Sequence, residues 1–166
     1  SDLTGGIIGA FAVARIERGK ISIEKVGSNA VLTSQRTLPI SMPSEFIDTY
    51  GNDPAIWQNS NLSPHFPYGA QIYLALWKVQ FNEELDGVIT FDPIVLKAIL
   101  AALGPIEVQG KTISAENVVA ETLSAAYQRF DGDIPGRKAY LVAIIEATAA
   151  KITAAKIQPT SIAHLI

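Results

Sequence analysis

The sequence lacks cysteine altogether, holds only two histidines and is poor in charge. Of its 166 residues, 17% are charged and 48% are apolar. Without cysteine the chain can form neither a disulfide scaffold nor a thiolate metal site. His65 and His164 each stand alone in their segments, so no zinc site is expected. Because a chain of this size buries roughly 70% of its unfolded surface, the composition is typical of a folded globular domain.

Long basic runs and long apolar runs are also missing. Thirteen basic residues against 16 acidic ones give a net charge of −3. Phosphate contacts supply most of the affinity for nucleic acid, so we expect no nucleic-acid partner. No stretch of about 18 uninterrupted apolar residues occurs, and the N-terminus lacks a signal-peptide pattern. We expect one α/β domain over residues 1–166. Because the sequence leads directly from Ser1–Thr4 into a glycine-rich apolar strand, we expect it to be a fragment of a longer membrane-anchored protein, with membrane association only through a missing anchor.

What is present is a pattern of strands interleaved with helices. The apolar runs on either side of the turn Glu17–Lys20 predict a hairpin. Apolar spacing predicts a helix from Pro67 to Phe81, and the apolar run Val88–Phe91 is typical of a buried strand. Asp92-Pro93 is a helix start, because the carboxylate accepts a free backbone N–H and proline suits the first helical position.

The second half of the chain continues this pattern. Gly104-Pro105 ends the helix that begins at Asp92, and a second small strand pair follows over residues 106–113. A helix capped by Ser114 is predicted to run to Phe130, and another is predicted from about Gly136 to Lys156. The expected fold class is therefore α/β, with a mixed β-sheet and helices packed on its faces.

The densest charge cluster lies between the two last predicted helices. Arg137 and Lys138 fall at a helix start, where cations are unfavourable unless an anion joins them. These two residues, with Arg129 and Asp133, form a candidate phosphate or anion site. Two alternatives stay open. The charges are simply solvated, or Arg129 only offsets the negative C-terminal end of its own helix dipole.

A second candidate site is aromatic and lies in the uncharged stretch from Pro54 to Trp77. Four of its side chains could line a groove for a sugar or a lipid: Trp57, His65, Tyr68 and Tyr73. The alternatives are that the aromatic residues belong to the core and that His65 is a polar loop residue. No serine or carboxylate stands beside His65 in a recognisable catalytic relay, so no catalytic residue is predicted.

Three blocks of the sequence resemble the bacterial domain-of-unknown-function family numbered 4012. They read TGGIIGAFAVARIERGKI, NSNLSPHFPYGAQ and DGVITFDPIVLKAILAALGPIEV, the last followed by AENV. Their order and spacing match that family over nearly the whole chain. Members of the family carry an arginine and two acids in the middle block, which is uncharged here, and His65 takes the place of the second acid.

That family in turn resembles the LytR–CpsA–Psr proteins, membrane-anchored enzymes outside the cytoplasm that transfer polyprenyl-pyrophosphate-linked glycopolymers onto peptidoglycan. The block from Asp86 to Val108 is similar to their strand, Asp, helix and Leu-Gly-Gly-Val-Glu-Val pattern. Arg129, Asp133 and Arg137 resemble their Arg, Asp, Arg series. This chain lacks two features of those proteins: a second arginine, which stands in an Arg-Gln pair, and a Pro-Arg-Asp-Thr motif. The resemblance implies α/β/α layers.

The function expected from this resemblance is that of an extracytoplasmic cell-envelope domain. Phosphoryl transfer needs a divalent cation held by acids together with several arginines, and this chain offers too few of them. We therefore expect a non-catalytic domain that binds a lipid-linked or wall polymer, or a protein partner. The alternatives are a magnesium-dependent phosphotransferase of the LytR–CpsA–Psr type and a purely structural assembly module. No other cofactor is expected.

Overall fold

The computed structural model describes residues 6–155 and divides the chain into two compact units. Unit 1 consists of Ser1–Ile8 and Asn29–Thr90, and unit 2 consists of Gly9–Ser28 and Phe91–Ile166. The expectation of one domain over residues 1–166 stays a prediction. None of the helices within residues 6–155 combines the length and the apolar character needed to cross a bilayer.

Unit 1 is helical in its described part. Its helices are α1 (Ser44–Tyr50) and α2 (Phe66–Phe81), with short 3-10 turns at Asn29–Val31, Asp53–Ala55 and Trp57–Asn59. Proline in the first turn of α2 costs no backbone hydrogen bond there, as the sequence predicted. Asn82 ends α2 in the left-handed conformation, with φ 52°, and its N–H donates to the carbonyl oxygen of Lys78.

The core of unit 1 forms where α2 buries one face. Its buried apolar side chains are Phe46, Ala55, Trp57, Ile72, Tyr73, Leu76 and Trp77. The indole N–H of Trp57 donates to the carbonyl oxygen of Thr33 at 3.1 Å, and that of Trp77 donates to a Glu83 carboxylate oxygen at 3.1 Å. Both tryptophans thus bury their rings while their polar N–H groups keep a partner.

Unit 2 contains two β-hairpins of the same turn geometry. The first joins β1 (Ala10–Glu17) to β2 (Lys20–Ser28), and the second joins β3 (Ile106–Val108) to β4 (Lys111–Ile113). Both central turn residues have positive φ in each case: Arg18 and Gly19 in one, Gln109 and Gly110 in the other. Two-residue turns of this kind match the right-handed twist of the strands, so both predicted hairpins are confirmed.

Three helical stretches complete unit 2. Helix α3 (Pro93–Leu103) begins at Asp92, whose carboxylate accepts the N–H groups of Ile94 and Val95 at 2.9 and 2.8 Å. A helical run then comprises α4 (Val118–Ala120), a π-helix (Glu121–Ala125) and α5 (Ala126–Arg129). Helix α6 (Ile134–Ala154) lies against β2 and β3. The predicted end of this helix at Lys156 lies outside the described residues.

The core of unit 2 is formed by the second hairpin and all three helical stretches. Its members are Leu100, Ile106, Val108, Ile113, Val118, Ala126, Tyr140 and Ile144. The alternation along β3 and β4 places Ile106, Val108 and Ile113 on the buried face, while Glu107 points outward. Tyr140 is fully buried and is the largest of these side chains.

The α/β class is confirmed, but the strands are arranged differently from the prediction. Within residues 6–155 the strands form two separate two-stranded antiparallel sheets rather than one larger mixed sheet. Val88–Phe91 is not a strand, and Ile89 and Phe91 are 72% and 64% exposed. A short apolar run becomes a buried strand only beside strands that pair with it. Here β1 pairs with β2 and β3 with β4.

The helix predicted from Ser114 also differs. It begins at Val118, whose N–H donates to the carbonyl oxygen of Ser114 at 2.9 Å. Its middle is the π-helix, in which each backbone hydrogen bond spans one residue more than in an α-helix. Apolar spacing of 3.6 residues therefore predicted the existence of this helical run but not its change of register.

Candidate functional site

The most concentrated polar site in the described chain surrounds the buried carboxylate of Glu121. This side chain lies at the first position of the π-helix and is only 5% exposed. Three donors reach it: Lys111 at the start of β4, Arg129 at the end of α5 and Tyr140 on α6. We call these four residues the Glu121 cluster. Its hydrogen bonds connect the second hairpin, the helical run that contains Glu121 and Arg129, and helix α6.

Both oxygens of the Glu121 carboxylate accept hydrogen bonds within the cluster. One oxygen of Glu121 accepts from the ammonium of Lys111. The other accepts from the Arg129 guanidinium at 3.0 Å and from the Tyr140 hydroxyl at 2.9 Å. The Arg129 guanidinium also lies 5.0 Å from the centre of the Tyr140 ring, which is cation–π distance. Hydrogen bonds to a charged acceptor of this kind are stronger than neutral ones.

The same contacts determine the charge state of Glu121. Burial by itself would raise the pKa of this carboxyl, but hydrogen bonds from Lys111, Tyr140 and Arg129 outweigh burial and hold the pKa below its ordinary value. The side chain is therefore ionised at neutral pH. A carboxylate with a lowered pKa is a poor proton acceptor, so the cluster is better suited to holding elements together than to general-base chemistry.

The predicted anion site is divided by this arrangement. Arg129 is held by Glu121, while Asp133, Arg137 and Lys138 lie at the start of α6. The Asp133 carboxylate caps α6 by accepting the N–H of Gly136 at 2.9 Å. The Arg137 guanidinium lies 4.0 Å from the centre of the Tyr127 ring. Three of the four predicted residues, Arg129, Asp133 and Arg137, thus contact groups of the protein itself.

The four residues of the predicted aromatic groove all lie in unit 1, in two different environments. Trp57 and Tyr73 are almost fully buried and stack on each other, with ring centres 5.9 Å apart. Burial raises the pKa of the Tyr73 phenol, whose oxygen has no hydrogen-bond partner among residues 6–155. His65 is exposed and packs edge-on against Tyr68 at 4.7 Å. Only His65 and Tyr68 therefore offer surface to a ligand.

A groove of about 740 Å³ runs along α2, on the side opposite the face that α2 buries in the core of unit 1. The apolar part of its lining includes Ile40, Leu74, Ala75, Val79 and Leu85. Lys78 and Glu84, which form an ion pair, also line it. This volume falls within the range of roughly 300–1,000 Å³ that is usual for small-molecule sites. The groove can hold an apolar chain beside a polar edge.

Metal ligands do not converge anywhere between residues 6 and 155. No three side chains among His, Asp and Glu come close enough there to hold an ion together. The magnesium ion expected for a phosphotransferase stays a prediction tied to that alternative.

Sequence reasoning did not identify Glu121, Lys111 or Tyr140 as site residues. The sequence pattern contained no signal for Glu121, because in a regular helix this acid lies opposite the apolar stripe that contains Thr122 and Ala126. An acid needs internal partners if it is buried. Which partners it finds depends on contacts 8, 10 and 19 residues away along the chain.

Comparison with known proteins identifies one family. No curated protein and no solved structure matches significantly, so the resemblance to the LytR–CpsA–Psr proteins rests on the sequence blocks alone. Residues 2–127 match one family, and this range includes Lys111 and Glu121 but ends before Arg129 and Tyr140. Most of the chain is covered, as the sequence blocks predicted. The chain belongs to the family described as "Protein of unknown function (DUF4012)".

Proposed function

We propose that the chain is a non-catalytic binding domain of the cell envelope, located outside the cytoplasm, that holds a polyprenyl-linked or wall polymer. The pairing of Arg129 with Glu121 is the observation that carries this proposal. Transfer of a phosphoryl group requires cations that are free to neutralise the developing charge of the substrate. An arginine that already neutralises a buried carboxylate of its own protein is poorly placed for that role.

The groove beside α2 is the place where we propose that part of a prenyl chain lies. Its apolar side chains can cover one side of a prenyl chain. The ammonium of Lys78 at the groove is available to a phosphate head group if its ion pair with Glu84 opens. Both members of that pair are well exposed, which makes the pair weak.

Replacing Val79 by aspartate is expected to reduce lipid binding about tenfold or more, because a carboxylate in the groove must be desolvated when the chain enters. The probe is polyprenyl phosphate in detergent, and native mass spectrometry counts the lipid bound per chain. Val31→Asp is the matched control, since Val31 is also an exposed valine of unit 1 and does not line the groove. A wild-type chain that binds no lipid would overturn the proposal, as would equal losses in both variants.

The phosphotransferase alternative is favoured by one observation. Within residues 6–155, no carboxylate is paired with Arg137 or Lys138, so these cations remain available to an anion. Our proposal nevertheless predicts no magnesium-dependent hydrolysis of polyprenyl pyrophosphate by the purified chain. Turnover that disappears in Arg137→Ala but persists in Arg36→Ala, an exposed arginine of unit 1, would establish the enzyme instead.

A further inference from the structure

Helix α3 is apolar on two opposite faces. Its inner face contributes Leu96 and Leu100 to the core of unit 2. The opposite face, together with the residue just before the helix cap, is exposed; we call it the outer α3 face, and it consists of Phe91, Ile94, Val95, Ala98, Ala101 and Ala102. A helix that is apolar all round is normally covered on all sides.

The outer α3 face is continuous rather than a set of scattered side chains. Its positions in the helix follow each other at intervals of one or three residues, which places them in one stripe. Phe91, Ile94 and Val95 are 64%, 60% and 37% exposed. Lys97 is the single charged residue within α3, and it lies beside the stripe, where its ammonium stays in water.

Side-chain size along this face changes in one direction. The bulky residues Phe91, Ile94 and Val95 lie at the start of α3, and the small residues Ala98, Ala101 and Ala102 follow. If a second α3 crosses antiparallel with Ala98 opposite its own copy, Ile94 lies over the copy of Ala102 and Val95 over the copy of Ala101. Bulky groups then meet small ones on both halves of the contact, which gives dense packing.

We propose that the outer α3 face binds a second copy of this chain in an antiparallel, two-fold arrangement centred on Ala98. Such an interface is self-complementary, as a two-fold dimer requires. Antiparallel helices also bring the positive N-terminal end of one α3 beside the negative C-terminal end of the other. This inference is independent of the lipid proposal, because it concerns unit 2 and the groove lies in unit 1.

The size of the contact predicts a weak dimer. An 11-residue helix is about 16 Å long, so a contact made by one helix from each copy is smaller than the roughly 1,600 Å² of a standard stable interface. We therefore expect association at about 100 µM chain rather than at nanomolar concentrations.

Sedimentation equilibrium of the complete 166-residue chain tests the proposal. The average mass is expected to rise with concentration from 17.8 kDa toward twice that value. Ala98→Glu should remain at the monomer mass, because the two-fold axis places its carboxylate against its own copy. Ala139→Glu, at an exposed alanine of α6, should behave like the wild type. A wild type that stays monomeric at about 500 µM would overturn the proposal.

A cysteine variant tests the register without depending on the folding of Ala98→Glu. The chain contains no cysteine, so Ala98→Cys carries a single thiol. Two thiols at the axis can reach the Cα separation of about 4.4–6.8 Å that a disulfide needs, and Ala98→Cys should oxidise to a covalent dimer. Ala139→Cys is the control. Equal rates of cross-linking in the two variants would contradict the proposed arrangement.

Discussion

Leu100→Ala is expected to lower the free energy of unfolding by about 3 kcal/mol, because truncation of a buried leucine loses its transfer energy and leaves a cavity. Leu100 is 2% exposed on the inner face of α3 and belongs to the core of unit 2. Guanidinium unfolding followed by circular dichroism measures the change, at chain concentrations of a few micromolar, well below the expected dimerisation range.

Ile94→Ala is the matched control on the opposite face of the same helix. Ile94 is 60% exposed, and alanine is the better helix former, so the free energy of unfolding should change by less than about 0.5 kcal/mol. A large loss in Ile94→Ala would mean that the outer α3 face is covered by the chain itself. The inference about a second copy would then lose its basis.

Glu121→Gln is expected to destabilise the chain by about 2 kcal/mol, within the range for hydrogen bonds to charged groups. The amide has one accepting oxygen and no charge, whereas the carboxylate accepts from Lys111, Arg129 and Tyr140. The loss should stay below the roughly 3–5 kcal/mol of a fully buried ion pair, because Lys111 and Arg129 are two-fifths exposed and can turn to water. The same unfolding experiment measures it, with the exposed Glu146→Gln as control.

The effect of Glu121 should depend on pH in a defined direction. Its pKa is lowered in the folded chain, so its contribution is present above the unfolded value of 4.5 and is lost as pH falls through the folded value. The stability difference between wild type and Glu121→Gln should therefore be largest at neutral pH and shrink below about pH 4.5. A difference that is constant from pH 7 to pH 3 would contradict an ionised Glu121.

Local rules predicted the parts of the fold that local chemistry determines. Asp92 and Pro93 begin α3 because a cap needs only the next three residues. The turns at Arg18-Gly19 and Gln109-Gly110 are likewise determined within four residues. The prediction at Val88–Phe91 was wrong because pairing depends on distant strands, and an apolar run alone does not show whether such strands exist.

The sequence did not indicate the partners of the predicted anion-site residues, for a related reason. Arg129, Asp133 and Arg137 are close in sequence, which suggested one anion site. In the fold Arg129 turns to Glu121 instead, and Asp133 is used as a helix cap. The hydrogen bonds of Glu121 depend on the π-helix, which contains Glu121, and on α6, which contains Tyr140. Regular helical spacing does not predict these contacts.

The positions of the two tryptophans have a practical consequence. Trp57 and Trp77 are the chain's only tryptophans, and both are buried in unit 1. Intrinsic fluorescence therefore reports on unit 1, whereas circular dichroism reports on the helices of both units. If Leu100→Ala moves the dichroism transition and leaves the fluorescence transition in place, the two units unfold independently. Coincident shifts would show that they unfold as one cooperative body.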